Sequence, residues 1–257
     1  MGVRITMNTV EVDPDLLISE NGDYKAYGYW LSTCGLNTFY EKSLELLGDL
    51  KGRHILDCGC GPGHTSIMFT RRGATVEAFD IDDDELAKAE ILAEANGVDI
   101  SYSKQWFEEI NYPDASFDLA FGSCVIHHVE VDKAAAQLGR VLKPGGRAVF
   151  IENSNRNPLL MFARSRLVGK FGIPKYGDDE EEHPLRDDEI ERLRKAFPGE
   201  VNIHFPSLVL FRLLDYYVFR RRSKLLTGLM RGLDSAVGSI YWLRRYSYFQ
   251  IIEFVRA

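Results

Sequence analysis

The run Ile55-Leu56-Asp57-Cys58-Gly59-Cys60-Gly61-Pro62-Gly63-His64-Thr65 constrains this chain more than any other segment. A short apolar strand runs into three glycines on alternate positions, and a helical pattern follows. Glycine carries no Cβ and tolerates φ > 0, so such a turn can be sharp and can lay bare backbone against a ligand. The helix beyond it begins with unpaired N–H groups. A second strand, residues 75–79, ends on Asp80, seventeen residues beyond Gly63. A carboxylate at that place can accept both hydroxyls of a ribose. Glycine turn and distant acid together predict a nucleoside-bearing cofactor.

The spacing narrows the choice. A dinucleotide fingerprint reads G-x-G-x-x-G. Here Gly59, Gly61 and Gly63 are one residue tighter, and Pro62 removes an N–H that could cradle a phosphate. Further along stand Ala78-Phe79-Asp80-Ile81-Asp82, Ser116-Phe117-Asp118-Leu119-Ala120, His127-His128 and Arg140-Val141-Leu142-Lys143-Pro144-Gly145-Gly146. In order and spacing, over roughly residues 40–155, these motifs resemble the class I S-adenosylmethionine-dependent methyltransferases. The two histidines and the R-V-L-K-P-G-G turn are similar to the ubiquinone- and menaquinone-biosynthesis group, known as methyltransferase type 11. That likeness stops before the C-terminal insertion.

Strand and helix patterns alternate from residue 53. Strands are expected at 55–58, 75–80, 100–103, 117–123 and 147–152, with helices from 64, from 82 to 97, and over 133–142. Asp82 with Glu85 has the form of a capping box. Later come a helix at 187–197, a strand at 200–205 and a closing strand at 248–255. Repeated βα units imply a doubly wound parallel sheet, with ligands at the carboxyl ends of its strands. The resemblance implies a Rossmann-like, seven-stranded, mostly parallel sheet in one domain. Residues 1–50 would form a helical lid and 51–155 the cofactor core. Residues 156–247 would supply substrate-side insertions and a late strand, and 248–257 the closing strand.

The resemblance assigns cofactor contacts to Asp57, Gly59, Cys60, Gly61, Gly63, Asp80, Ile81, Trp106, Phe107 and Ser123. Asp80 would take the ribose hydroxyls, the glycine turn the amino-acid half, and Ile81 the adenine edge. Asp57 is expected to organise the turn by accepting backbone N–H bonds. Trp106 departs from the family pattern, which often has an Asp there. An indole can stack on the adenine ring, and the Phe107 N–H can still bond it. Ser123 and Cys124 would line the floor beneath the methyl group. The implied cofactor is S-adenosyl-L-methionine, with S-adenosyl-L-homocysteine as product.

Methyl transfer is an in-line displacement from sulfur, and a base is needed only where the acceptor still holds its proton. His127 and His128, after the fourth strand, and Glu152, ending the fifth, are the candidates. Tyr24, Tyr27, Trp30, His183 and Tyr216 are candidates for the substrate pocket, the first three either closing over it or covering the core edge. No Asn-Pro-Pro-Tyr-like sequence follows the fourth strand, so methylation of DNA-base amino groups is not expected. The acceptor is expected to be small and apolar or lipid-like, taking the methyl on oxygen or carbon. A cofactor-binding scaffold without turnover and a nicotinamide-dependent oxidoreductase are the alternatives.

Charge bears on partners. The net charge of −7 argues against general nucleic-acid binding. Residues 205–257 nevertheless carry nine Arg and Lys against three acids, a local +6 that leaves −13 on the rest. This basic, aromatic segment either packs on the sheet or a second subunit, lines a tunnel for an apolar substrate, or meets a membrane surface. Four cysteines without C-x-x-C spacing are expected to be reduced, in the cytoplasm. Cys58, Cys60 and His64 lack a fourth partner, so no metal is expected. The polar first fifteen residues do not read as a signal peptide.

Overall fold

The computed structural model describes residues 5–6, 9–10, 36–167, 183–219 and 222–257. Tyr24, Tyr27 and Trp30 lie outside them, so their expected place at the pocket is not among the described contacts. Strands β1 (Ile5–Thr6) and β2 (Thr9–Val10) pair antiparallel, and helix α1 (Asn37–Leu47) leads into the core. There follow β3 (His54–Cys58), α2 (His64–Arg71), β4 (Thr75–Asp80), α3 (Asp83–Ala95), β5 (Ser101–Lys104), β6 (Phe117–Ser123), α4 (Val131–Val141) and β7 (Leu142–Asn153). The second part comprises α5 (Pro158–Leu167), α6 (Asp187–Ala196), β8 (Gly199–His204), α7 (Phe211–Tyr217), α8 (Lys224–Gly238) and β9 (Phe249–Arg256).

Seven strands form one sheet in the order β5-β4-β3-β6-β7-β9-β8. Only β9 runs against its neighbours β7 and β8. The chain starts in the middle, winds outward through β4 and β5, then returns to lay β6 on the other side of β3. That reversal opens a crevice at the carboxyl ends of β3 and β6. The mostly parallel, doubly wound sheet expected from the alternating pattern is the sheet observed.

Both faces of the sheet are covered, so its strands read as continuous apolar runs. Alternate residues point to opposite faces. Ile55, Phe121, Val149 and Ile251 join one core, against Phe39 and Tyr40 of α1 and Ile67 and Phe69 of α2. Leu56, Ala120, Phe150 and Ile252 join the other, against Leu138 of α4 and Leu193 of α6. Helix α4 begins two residues before the expected 133 because Val131 opens its buried stripe, which continues through Ala134, Ala135, Leu138 and Val141. Strand β7 begins well before the expected 147 because Leu142 already pairs with Phe117, ahead of an irregularity in register.

One local expectation is met only in part. Asp82 does cap α3, accepting the Asp84 N–H at 2.8 Å, but the Glu85 side chain turns to Lys88 at 2.6 Å and leaves the box half made. The apolar run 207–219 is helical only over Phe211–Tyr217. Its start is set from α8: Asp234 accepts the N–H groups of Leu210, Phe211 and Arg212 at 3.0, 2.8 and 3.2 Å. Among the described residues, no helix is long and apolar enough to cross a membrane.

Candidate active site

The crevice is built from the turn that follows β3. Gly59 has φ +63° and Gly63 φ +77°, and both are also crowded. A Cβ added to Gly59 would stand 2.6 Å from Val125 Cγ2, and one on Gly63 2.8 Å from the Ala89 Cβ. At Gly61 an added Cβ would meet only a Glu85 carboxylate oxygen, 4.0 Å away. The turn is therefore clamped on both flanks and bare at its centre. Asp80, at the end of β4, reaches that centre: its Oδ2 accepts the Gly61 N–H at 2.7 Å. Its Oδ1 accepts the N–H groups of Ile81 and Asp82 at 2.8 and 3.0 Å. A carboxylate has about four lone-pair sites, so with three taken about one remains for a hydroxyl.

Beneath the turn Asp57 is buried, and its Oδ2 accepts the hydroxyls of Thr65 and Ser66, both at 2.6 Å. These short bonds come from side chains in the first turn of α2, and the Ser66 N–H donates as well, the kind of backbone donor expected. Burial pushes the Asp57 carboxyl up to about 6, and the two hydroxyls hold it down against that. Burial likewise pushes the thiols of Cys58 and Cys60 upward. Cys60 is thus a protonated packing group within the turn.

Ile81 and Trp106, the residues expected to meet an adenine, are exposed beyond the ends of β4 and β5. A shallow depression lined by Ile81, Asp82, Asp83, Asp84 and Lys104 lies there. For Phe107 the expected contact is the backbone N–H, not the ring. Its ring is buried between Phe79 and Phe150, with centroids at 5.7 and 5.8 Å. Only its backbone can face the crevice.

Across the β3–β6 pairing, Ser123 ends β6 and is hydrogen-bonded to the Tyr40 hydroxyl of α1. Cys124 follows at φ +58°, its N–H donating to the Ile151 carbonyl at 2.8 Å. Burial pushes its thiol up to about 12. The chain then makes one short helical turn, Ile126–His128. Glu152, wholly buried at the end of β7, holds that turn. Its Oε1 accepts the N–H groups of Val125 and Ile126 at 2.8 and 2.7 Å, and its Oε2 lies 2.7 Å from His127 Nδ1. A carboxylate accepts only, so His127 Nδ1 carries the proton and Nε2 is left as an acceptor. His128 stacks on His127 with centroids 4.0 Å apart and is itself exposed. The arrangement is an oriented imidazole, able to take a proton at Nε2.

His183 and Tyr216 have their described contacts elsewhere. His183 Nε2 sits 3.0 and 3.2 Å from the carboxylate oxygens of Glu189, in the first turn of α6. Its segment still returns to the sheet, where Leu185 N–H donates to the Asn153 carbonyl. Tyr216 packs on Tyr217 within α7. Three residues at the site escaped the sequence reading: Tyr40, Val125 and the buttress role of Ala89. Only Tyr40 had a local signal, the helical spacing of its neighbours Leu44 and Leu47.

Residues 56–150 match the family model described as a methyltransferase domain. A ubiquinone biosynthesis O-methyltransferase of Bradyrhizobium sp. (strain ORS 278) is 35% identical over 119 residues, 46% of each protein. An S-adenosyl-L-methionine-dependent Diels-Alderase of Talaromyces variabilis is 34% identical over 152 residues, 54% of this chain and 52% of that protein. The chain thus spans about half the length of the curated relatives it matches. Among solved structures, the geranyl diphosphate C-methyltransferase from Streptomyces coelicolor A3(2) superposes with a TM-score of 0.60 at 16% identity. The alignment covers 86% of this chain and 78% of that one. At that identity the likeness concerns the fold alone. Residues 56–150 thus match a methyltransferase domain, the chain is similar over about half its length to the ubiquinone-biosynthesis O-methyltransferases, and its fold is that of the superposed methyltransferase.

Proposed function

We propose that the protein transfers a methyl group from S-adenosyl-L-methionine to a small, apolar or lipid-like acceptor, on oxygen or carbon. The observation that carries this reading is the His127–Glu152 pair, set after β6 on the same crevice as the Gly61–Asp80 contact. The residues present fit the cofactor. Gly61 offers bare backbone for its amino-acid half, Asp80 keeps an acceptor site for a ribose hydroxyl, and Ile81 and Trp106 flank its adenine. When bound, the cofactor supplies an electrophilic methyl on a sulfonium.

The protein's own part is alignment, exclusion of water and movement of one proton. Nε2 of His127 takes the acceptor's proton, and Glu152 fixes the tautomer and stabilises the imidazolium that forms. His128 and the Ser123 floor shape the acceptor side. One domain spans the chain, with residues 51–155 holding the cofactor and 156–247 facing the acceptor. Peripheral contact with a membrane, through the basic and aromatic C-terminal segment, belongs to the same proposal and suits a lipid-like acceptor.

The test pairs calorimetry with S-adenosyl-L-homocysteine and incubation of labelled methyl donor with a lipid extract. Binding and a labelled lipid product are expected. Absence of any binding refutes the reading. The Talaromyces relative, named for a different reaction, favours one second reading: cofactor binding with chemistry other than methyl transfer. A product that forms only with bound cofactor, yet carries no label, would select it.

A further inference from the structure

The C-terminal insertion carries a face that methyl transfer does not use. Residues 216–252 hold seven Arg and Lys and a single acid, Asp234. Asp234 is buried, capping α7 and pairing with Arg212 at 3.1 Å. Among the described residues of this stretch the exposed charges, Arg222, Lys224, Arg231 and Arg245, are all cationic, on a chain whose net charge is −7. Contacts settle which way α8 faces. Asp234 meets α7, and a Cβ added to Gly238 would lie 3.1 Å from Leu208 Cβ.

The opposite side of α8 presents Leu225, Leu229, Gly232 and Ala236, all exposed. Steps of four, three and four residues set them in one stripe along the helix. Leu225 is 85% exposed, an unusual state for a leucine on a helix that has an inner face available. Arg222 and Lys224 are exposed at the start of the stripe. At the other end the chain turns through Tyr241–Tyr246, where Tyr241 is 79% and Trp242 64% exposed, with Arg245 exposed beside them. An apolar stripe edged by cations and ended by Tyr and Trp has the composition of a helix that lies in a lipid interface.

We infer that α8 and the turn after it form a surface that docks on an anionic lipid bilayer, lying in its interface rather than crossing it. Charge selects this occupant. A second copy placed on the same face about a twofold axis would bring Arg222 and Lys224 against a like set of cations. Anionic headgroups neutralise them. The inference deepens the membrane contact proposed above and does not depend on methyl transfer.

The full chain is floated with vesicles of phosphatidylcholine, and of phosphatidylcholine with about one-third phosphatidylglycerol, at low and raised salt. Binding of S-adenosyl-L-homocysteine is measured on the same samples. Affinity for the anionic vesicles should be at least about tenfold higher and should fall with salt. Lys224→Ala should weaken it by about fivefold. Leu225→Glu with Leu229→Glu should abolish it and leave affinity for S-adenosyl-L-homocysteine unchanged, which confirms an intact fold. Equal binding to both vesicle types, no binding, or binding that survives the Leu225→Glu, Leu229→Glu double substitution overturns the inference. So does a dimer that this pair dissolves while neither vesicle is bound. Normal flotation without any cofactor affinity would refute the methyltransferase reading and leave the lipid face standing.

Discussion

Asp57 should make the stability of this protein depend on pH in a way a single substitution isolates. Its carboxyl is buried and moves from 3.8 to about 6, with burial as the largest cause. The folded state therefore holds the proton more tightly than the unfolded chain does. The stability linked to Asp57 is present in full below about pH 3.8 and is lost as pH rises through about 6. Fully ionised, the carboxylate costs roughly 3 kcal/mol relative to its protonated form, of which about 1.3 kcal/mol is lost between pH 5 and 7. The carboxamide introduced by Asp57→Asn does not titrate. The stability difference, variant minus parent, should thus rise by about that 1.3 kcal/mol from pH 5 to pH 7 in urea melts at fixed ionic strength. Comparing the two proteins cancels every other titrating group. A second substitution sharpens the test. Ser66→Ala removes one of the two hydroxyl donors that, with the Ser66 N–H, favour the charged form. A donor to a charged group is worth about 1.5–3 kcal/mol, so the folded titration should move upward by about one to two pH units. A stability difference that is flat with pH, or that falls, would refute the reasoning, since burial would then not outweigh the hydroxyl donors.

Three further outcomes follow from the site. Glu152→Gln can still accept from Val125 and Ile126 but presents an amide donor to His127 Nδ1. The inverted tautomer should lower kcat by about 10²–10⁴ while leaving affinity for S-adenosyl-L-homocysteine unchanged. Gly59→Ala places its Cβ 2.6 Å from Val125 Cγ2 at φ +63°, and should lower stability by about 2–3 kcal/mol. Adding Val125→Ala removes the 2.6 Å contact but keeps the Val125 Cβ at 3.0 Å, so it should recover part of the loss and leave at least about 1 kcal/mol of backbone strain, read in the same melts. Trp106→Ala, at a side chain 60% exposed, should leave Tm unchanged yet weaken S-adenosyl-L-homocysteine by about fivefold or more in calorimetry. An unaltered affinity would place the indole outside the adenine site.

What the sequence made legible was local. Ile55 and Leu56 advertise a strand buried on both faces, the three glycines advertise a turn, and Asp82 advertises the cap of the helix that follows it. In each case cause and effect lie within a few residues. Phe107 shows where such reading stops. Its backbone N–H is the expected contact, and nothing local says where its ring goes, because adjacent side chains beyond a strand end diverge. The ring of Phe107 finds Phe79 and Phe150, whereas the indole stays outside. The helical start of α7 was illegible for a different reason. Its N–H groups are satisfied by Asp234, more than twenty residues later, and no local pattern announces a cap supplied from another helix.

Glu152 combines the two situations. Its position at a strand end marked it as a candidate, but its distance in sequence from Val125, Ile126 and His127 hid its second task. One oxygen shapes the turn and the other orients the imidazole, so loop geometry and proton acceptance share a single buried side chain. Truncation to Ala would orphan two N–H groups, at about 1–3 kcal/mol each, and release the histidine together with the turn that carries it. Loss of activity in that variant would say nothing about proton transfer. Gln keeps the turn and changes only the hydrogen borne by His127, so the contrast between the two variants separates architecture from chemistry. If Glu152→Gln retained full kcat, the imidazole would be a structural partner of the carboxylate, and methyl transfer here would need no base.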